Sequence, residues 1–229
     1  MQKVLLSTTY FGPIQWYQKL YRAEEVFIEC CESFLKQTYR NRCLIASTQG
    51  VQALTVPIEG HATINTIKDV RISDHGNWRH LHWNALMSAY GESPFFDYYQ
   101  DDIRLFFEQR WDYLLDFNEA IRIKMCELLD IQPKVRLTKE FTVDGLRFTD
   151  DYTVGSEGLA SKSSVNCKPS TVNNLVDYRS AIRPKHPEPD PDFTPKRYYQ
   201  VYEQKHGFLP NLSILDLLFN MGPESIFYL

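Results

Sequence analysis

The sequence predicts an α/β fold: a mixed sheet with an N-terminal β-α-β unit, a central helical section and a long C-terminal flap loop. Three observations predict it. The N-terminal residues run apolar strand, helical repeat, apolar strand; the middle of the chain switches to a helical apolar period; and residues 152–197 lose periodicity and gather prolines and acids. At 229 residues the chain is long enough to fill one core without disulfide or metal staples, so a single domain over 1–229 is expected, with 152–197 as a partly mobile loop or flap.

Lys3 to Thr9 is a short apolar strand, and after Gly12-Pro13 the residues Ile14, Tyr17, Leu20 and Tyr21 recur at helical spacing. Pro13 is tolerated in a first turn. Val26-Phe27-Ile28 reads as a second strand, parallel to the first, which puts the Thr8 to Gln15 loop at a strand's C-terminal end, where such units often hold ligands. Cys43 to Ala46 and Val51 to Ile58, joined through Gly50, read as an antiparallel hairpin. Trp78, Leu81, His82, Ala85, Leu86 and Ala89 share one helix face and are expected to be buried. Ser93-Pro94 starts a second helix bearing Phe95, Phe96, Tyr99, Ile103 and Phe106, and Asp116 caps a third that runs to about Leu129. Lys134 to Phe141 returns to strand character, with a tight hairpin signal at Asp144-Gly145. Tyr198 to Tyr202 suits a strand, Ser213 starts a helix over Ile214 to Asn220 in a capping-box pattern with Asp216, and Gly222-Pro223 stops it.

Composition excludes several function classes. Lys and Arg number 25 against 29 Asp and Glu, a formal charge of -4, so no global basic field gathers nucleic acid and none is expected as a partner. The N-terminal apolar run is too short for a secretory leader, and no run approaches a membrane span; a cytoplasmic location without membrane insertion is expected. The 5 cysteines include no C-x-x-C pair, which implies neither a disulfide framework nor a zinc site.

The densest polar cluster is Asp74-His75-Gly76-Asn77-Trp78-Arg79-His80-Leu81-His82-Trp83-Asn84. Zinc held by His80 and His82 is disfavoured, because side chains two apart diverge on a helix; no metal and no cofactor are expected. His82 fits either a buried imidazole satisfied by backbone or an acid-base and ligand-positioning group. Lys36-Gln37-Thr38-Tyr39-Arg40-Asn41-Arg42 places cations just before a strand, suited to a carboxylate or phosphate and equally to a solvated hairpin edge. Cys30-Cys31 is a weak nucleophile candidate, since buried thiols are common. The acids Asp97, Asp101, Asp102 and Glu108 read as a solvated helix face.

At HGNWRHLHWNAL, SPFFDYY, YRNRC and above all LSILDLLFNMGPESIFYL, the chain resembles the WbqC-like family, along nearly its whole length. Gly12-Pro13-Ile14-Gln15-Trp16, Leu54-Thr55-Val56-Pro57-Ile58, Asp177-Tyr178-Arg179 and Pro184-Lys185 also match. That resemblance implies a setting in bacterial surface-polysaccharide synthesis and a transferase of an acyl or aminoacyl group, glycyl in particular, acting on a small-molecule donor and a sugar-type acceptor. It supplies no agreed catalytic residues. On the residues themselves, His82 is the candidate for proton transfer, and Gln15, Arg40, Asn41, Arg42, Asn84 and Asp216 are the candidate ligand-binding groups. The competing expectation is a non-catalytic carbohydrate- or partner-binding protein, which needs only the aromatics and amides.

Overall fold

A computed structural model of the protein describes residues 2–60, 66–138 and 175–229. The expected β-α-β unit opens the chain as β1 (Lys3–Ser7), α1 (Ile14–Arg22) and β2 (Glu25–Glu29), with Lys3 paired to Glu25 in parallel register. Strand alternation sorts the apolar residues: Val4, Leu6, Val26 and Ile28 join the main core, whereas Leu5 and Phe27 form a separate small cluster with Leu175. The hairpin follows as β3 (Arg42–Ser47) and β4 (Gly50–Thr55), a two-stranded sheet of its own whose turn uses Gly50 at a φ of 103°.

The helical centre comprises α2 (Trp78–Tyr90), α3 (Phe96–Glu108) and α4 (Leu114–Leu128). Trp78, His82, Leu86 and Ala89 are buried along α2 as their spacing requires, but Leu81 is 63% exposed. The stripe is centred on Trp78, His82 and Leu86, four residues apart, and Leu81 lies about 100° off that line. Helix α3 begins after Pro94 rather than at it, and Asp116 lies in the first turn of α4 with Tyr113 at the cap position. An acid there still complements the helix dipole.

Two short strands, β5 (Val135–Leu137) and β6 (Leu175–Asp177), complete a parallel sheet in the order β5-β2-β1-β6. Of the segment expected as a flap, 152–174 lies outside the described residues, as does Asp144-Gly145. The rest of that segment begins as part of the core: β6 pairs with β1, and Tyr178, Ala181 and Ile182 are buried. Further on, Asp190 forms a buried ion pair with Lys19 at 2.8 Å, pinning the proline-rich stretch to α1.

Tyr198 to Tyr202 is not a strand; it turns into the single-turn helix α5 (Glu203–His206). Its aromatic character serves packing, with Tyr198 set against Phe208 and Tyr228. Helix α6 (Ile214–Met221) starts where expected: Ser213 Oγ accepts from the Leu215 N–H, and a 3₁₀ stretch over Gly222–Tyr228 follows. The starts of α1 and α6 hold each other, since Ile14 donates to the Leu212 carbonyl and Ile214 to that of Gly12. No helix among the described residues is long and apolar enough to cross a membrane.

Candidate functional site

The chain leaves β1 toward β2 on one side and supplies β6 on the other, so the strand order reverses at β1. In open parallel sheets, ligands bind outside the carboxyl ends of the strands at such a point. Here that place is a narrow cleft lined by Ser7, Thr8, Thr9, Trp16, Arg40 and Arg179, with room for about one water molecule.

The cleft is built around a guanidinium-carboxylate network. Arg40, only 2% exposed, clamps Glu32 with both arms, Nε to Oε1 at 2.9 Å and Nη2 to Oε2 at 2.6 Å, and also donates to Ser7 Oγ at 2.8 Å. Arg179 chelates Asp177, with Nη2 at 2.6 Å from Oδ2. Its Nη1 stands 3.7 Å from Glu32 Oε2 and 3.9 Å from Glu29 Oε2, beyond hydrogen-bond length. Glu29 is tied to the end of β5, accepting from Thr138 Oγ1 at 2.8 Å and from the Cys31 N–H at 2.9 Å. Thr8 and Thr9 follow β1 into the cleft, both buried, and neither hydroxyl has a partner among the described residues. Orphaned buried hydroxyls are costly, and a bound polar group would satisfy them. Gly12 is required nearby, because a Cβ there would collide with Thr9 Oγ1.

The residues selected from sequence divide among several places. Arg40 is in the cleft. Arg42 is not: it lines a surface groove with Asn41, while Asn41 Nδ2 donates to the Val56 carbonyl at 2.8 Å. Gln15 is bound on all sides, donating to Asp190 at 2.8 Å and accepting from Asn211 Nδ2 at 3.0 Å. Asn84 is on the outer face of α2, paired with His80 at 2.9 Å.

His82 is in the aromatic core, edge-on to Trp78 and Phe107, with Nδ1 at 2.9 Å from the Tyr10 hydroxyl. Burial lowers its pKa to about 4, opposed in part by the Thr55 carbonyl, so the ring is neutral at physiological pH. Through Tyr10, whose N–H donates to the Tyr39 carbonyl, His82 supports the loop carrying Thr8 and Thr9. Arg42 and His82 both meet Thr55, Arg42 through its hydroxyl at 3.0 Å and His82 through its carbonyl, and His82 does not line the Arg42 groove.

Asp216 is fully buried and accepts from Tyr198 at 2.5 Å, Tyr90 at 2.9 Å and Gln200 at 2.9 Å. Burial pushes its pKa up to about 6 in spite of these donors. The Cys30 thiol is pushed up to about 12, first by burial and then by neighbouring negative groups, which disfavours the thiolate a nucleophile needs.

Sequence reasoning placed the ligand loop at Thr8 to Gln15 without singling out its two threonines, and it missed Glu29, Glu32 and the role of Arg179. Position after β1 points to the threonines, and Asp177-Tyr178-Arg179 is one of the matching motifs, yet only the fold brings it beside Arg40.

The WbqC-like protein family matches residues 8–228. The chain belongs to the WbqC-like family. It is also similar to a protein of Mycobacterium tuberculosis (strain ATCC 25618 / H37Rv) named "Uncharacterized protein Rv1507c", 27% identical over 237 residues that span 100% of this chain and 98% of that protein. No solved structure matches.

Proposed function

We propose that this WbqC-like protein is a transferase that moves an acyl or aminoacyl group, glycyl in particular, onto the amine or hydroxyl of a surface-polysaccharide precursor. The observation that carries the reading is the strand-end cleft, where the Arg40-Glu32-Arg179 network lies beside two unpartnered buried hydroxyls. In the reaction the acceptor's lone pair attacks the donor carbonyl. A C–N or C–O bond forms, the donor's leaving group departs with the electron pair of its bond, and the acceptor proton passes to solvent. The cleft has room for about one water molecule, so only the donor's carbonyl oxygen enters it, where Arg179 Nη1 stabilises the negative charge developing on that oxygen and Thr8 and Thr9 orient it. Asp177 is the positioning residue that holds Arg179 in place, and Arg40 fixes Glu32 beside it. His82 acts through Tyr10 on the same loop. This reading treats the chain as a single domain working in the cytoplasm on a small-molecule donor and a sugar-type acceptor, with no nucleic acid.

A non-catalytic carbohydrate-binding role draws on a different observation, the open groove in which Gln49, Gln52, Asn84 and Ser88 offer amides and hydroxyls. Incubating the purified protein with labelled glycyl donors and nucleotide-linked amino-sugar acceptors separates the two. Product formed by the native protein and by Asn84→Ala, but lost in Arg179→Ala, supports transfer. Saturable sugar binding without turnover, abolished by Asn84→Ala, rejects transfer in favour of binding.

A further inference from the structure

The geometry points to a nucleoside diphosphate site in the surface groove between residues 34–42 and the end of β4, with the diphosphate on Arg42 and Lys36 and the base against Phe34. The inference rests on the transfer reading, for it assigns the handle by which an activated sugar is held, but its geometry is independent of the cleft.

Arg42 differs from the other arginine of the same short segment. Arg40 is spent on Glu32, whereas the Arg42 side chain bonds the Thr55 hydroxyl, through Nε at 3.0 Å. That bond orients the guanidinium and leaves both terminal nitrogens without a partner among the described residues. Lys36 lines the same groove, and neither cation meets a carboxylate among the described residues. An oriented, unpaired guanidinium offers two parallel donors to a phosphate, and a lysine adds a point charge.

The rest of the groove suits the other half of a nucleotide. Phe34 is half-buried and lines the groove together with Pro57 and Ile58, which are also half-buried. The floor is fixed: Val56 donates to the Asn41 carbonyl at 2.8 Å while Asn41 Nδ2 donates back to the Val56 carbonyl at 2.8 Å. At about 360 Å³ the groove is within the range of small-molecule sites. Residues 34–42 line the groove on one side and, through Thr38, Tyr39 and Arg40, the cleft on the other, so one short segment borders both sites.

Calorimetric titration of the native chain with UDP, ADP and inorganic pyrophosphate at low ionic strength tests this. We expect saturable binding of at least one nucleotide, weakened about tenfold or more by Arg42→Ala and by Lys36→Ala, both with unchanged thermal melts. Phe34→Ala should reduce nucleotide affinity to that of pyrophosphate. Absence of nucleotide binding, or affinity unaltered in Arg42→Ala, overturns the site. The two proposals fail separately: transfer that persists undiminished in Arg42→Ala rejects the groove and keeps the cleft, whereas Arg42-dependent binding by a protein without turnover keeps the groove and rejects transfer.

Discussion

Replacing His82 by glutamine should expose an opposing titration that the native protein masks. Two buried groups carry displaced pKa values that overlap in range and act in opposite directions. His82 is lowered from 6.5 to about 4 by burial, so as pH falls through this window the unfolded chain takes up a proton that the native state refuses, and stability falls. Asp216 is raised from 3.8 to about 6, chiefly by burial, so over much the same window the native state takes up a proton that the unfolded chain does not, and stability rises. Moving a pKa by one pH unit between the folded and unfolded chain corresponds to about 1.4 kcal/mol, which makes each group worth about 3 kcal/mol in full and about 2 kcal/mol between about pH 7 and about pH 4.5. In the native protein the two nearly cancel. His82→Gln removes one arm, and its stability relative to native should climb by about 2 kcal/mol on acidification across that interval. Asp216→Asn should show the reverse, losing about as much relative to native. Urea unfolding followed by tryptophan fluorescence at several pH values, with m unchanged, gives the difference profiles directly, and background titrations shared by all three proteins drop out. Difference profiles that are flat, or that slope the same way in both variants, would overturn this assignment of opposed titrations.

Three further outcomes are expected. Gly12→Ala should destabilise by about 1–3 kcal/mol because its methyl meets Thr9 Oγ1, and adding Thr9→Ala should recover part of that loss; additive losses in a double-mutant cycle would remove the proposed collision. Arg40→Ala leaves buried Glu32 without its clamp and should cost about 3–5 kcal/mol in chemical denaturation, whereas Arg179→Ala, at a side chain 16% exposed, should cost less; the opposite ranking would reject the assigned division of labour. Asp190→Ala should likewise cost about 3–5 kcal/mol and expose the 184–195 stretch to limited proteolysis, since Lys19 loses its buried partner; an unchanged cleavage pattern would show that other contacts pin the strap.

Much of the fold is legible in the sequence because local period and turn chemistry agree with the final packing. The β-α-β unit, the Gly50 hairpin and the Ser213-capped helix all follow from residues within a few positions of one another. Where the sequence misleads, a residue's reason is distant. Tyr198 and Gln200 have strand-like surroundings, yet both are drawn to Asp216 in α6. Three residues suffice for β6, too few to impose a period on a polar and proline-rich stretch. The cleft is harder still: Glu32 and Arg40 are close in the chain, but Arg179 reaches them only because β6 pairs with β1. Spacing also groups Arg40, Asn41 and Arg42 as one set, and the turn before β3 sends the two guanidiniums to different sides.

That separation bears on which charges can meet a ligand. Buried cations in this fold are already committed: Arg40 to Glu32, Lys19 to Asp190. Desolvation requires such pairing, and a ligand that displaced either carboxylate would leave it uncompensated in a low-dielectric site. The cleft therefore suits recognition by hydroxyls and by Arg179 Nη1, a guanidinium nitrogen that stands off its acids. A multiply charged group needs cations that no acid has claimed. Among the described residues Arg42 and Lys36 meet that condition on the far side of the same segment, so the proposed reading assigns the reacting carbonyl to the buried network and the phosphate charge to the exposed groove. Moving a carboxylate into the groove at the exposed position 37, as in Gln37→Glu, should weaken nucleotide binding in calorimetric titration while leaving the thermal melt, and with it the Arg40-Glu32 clamp, unchanged.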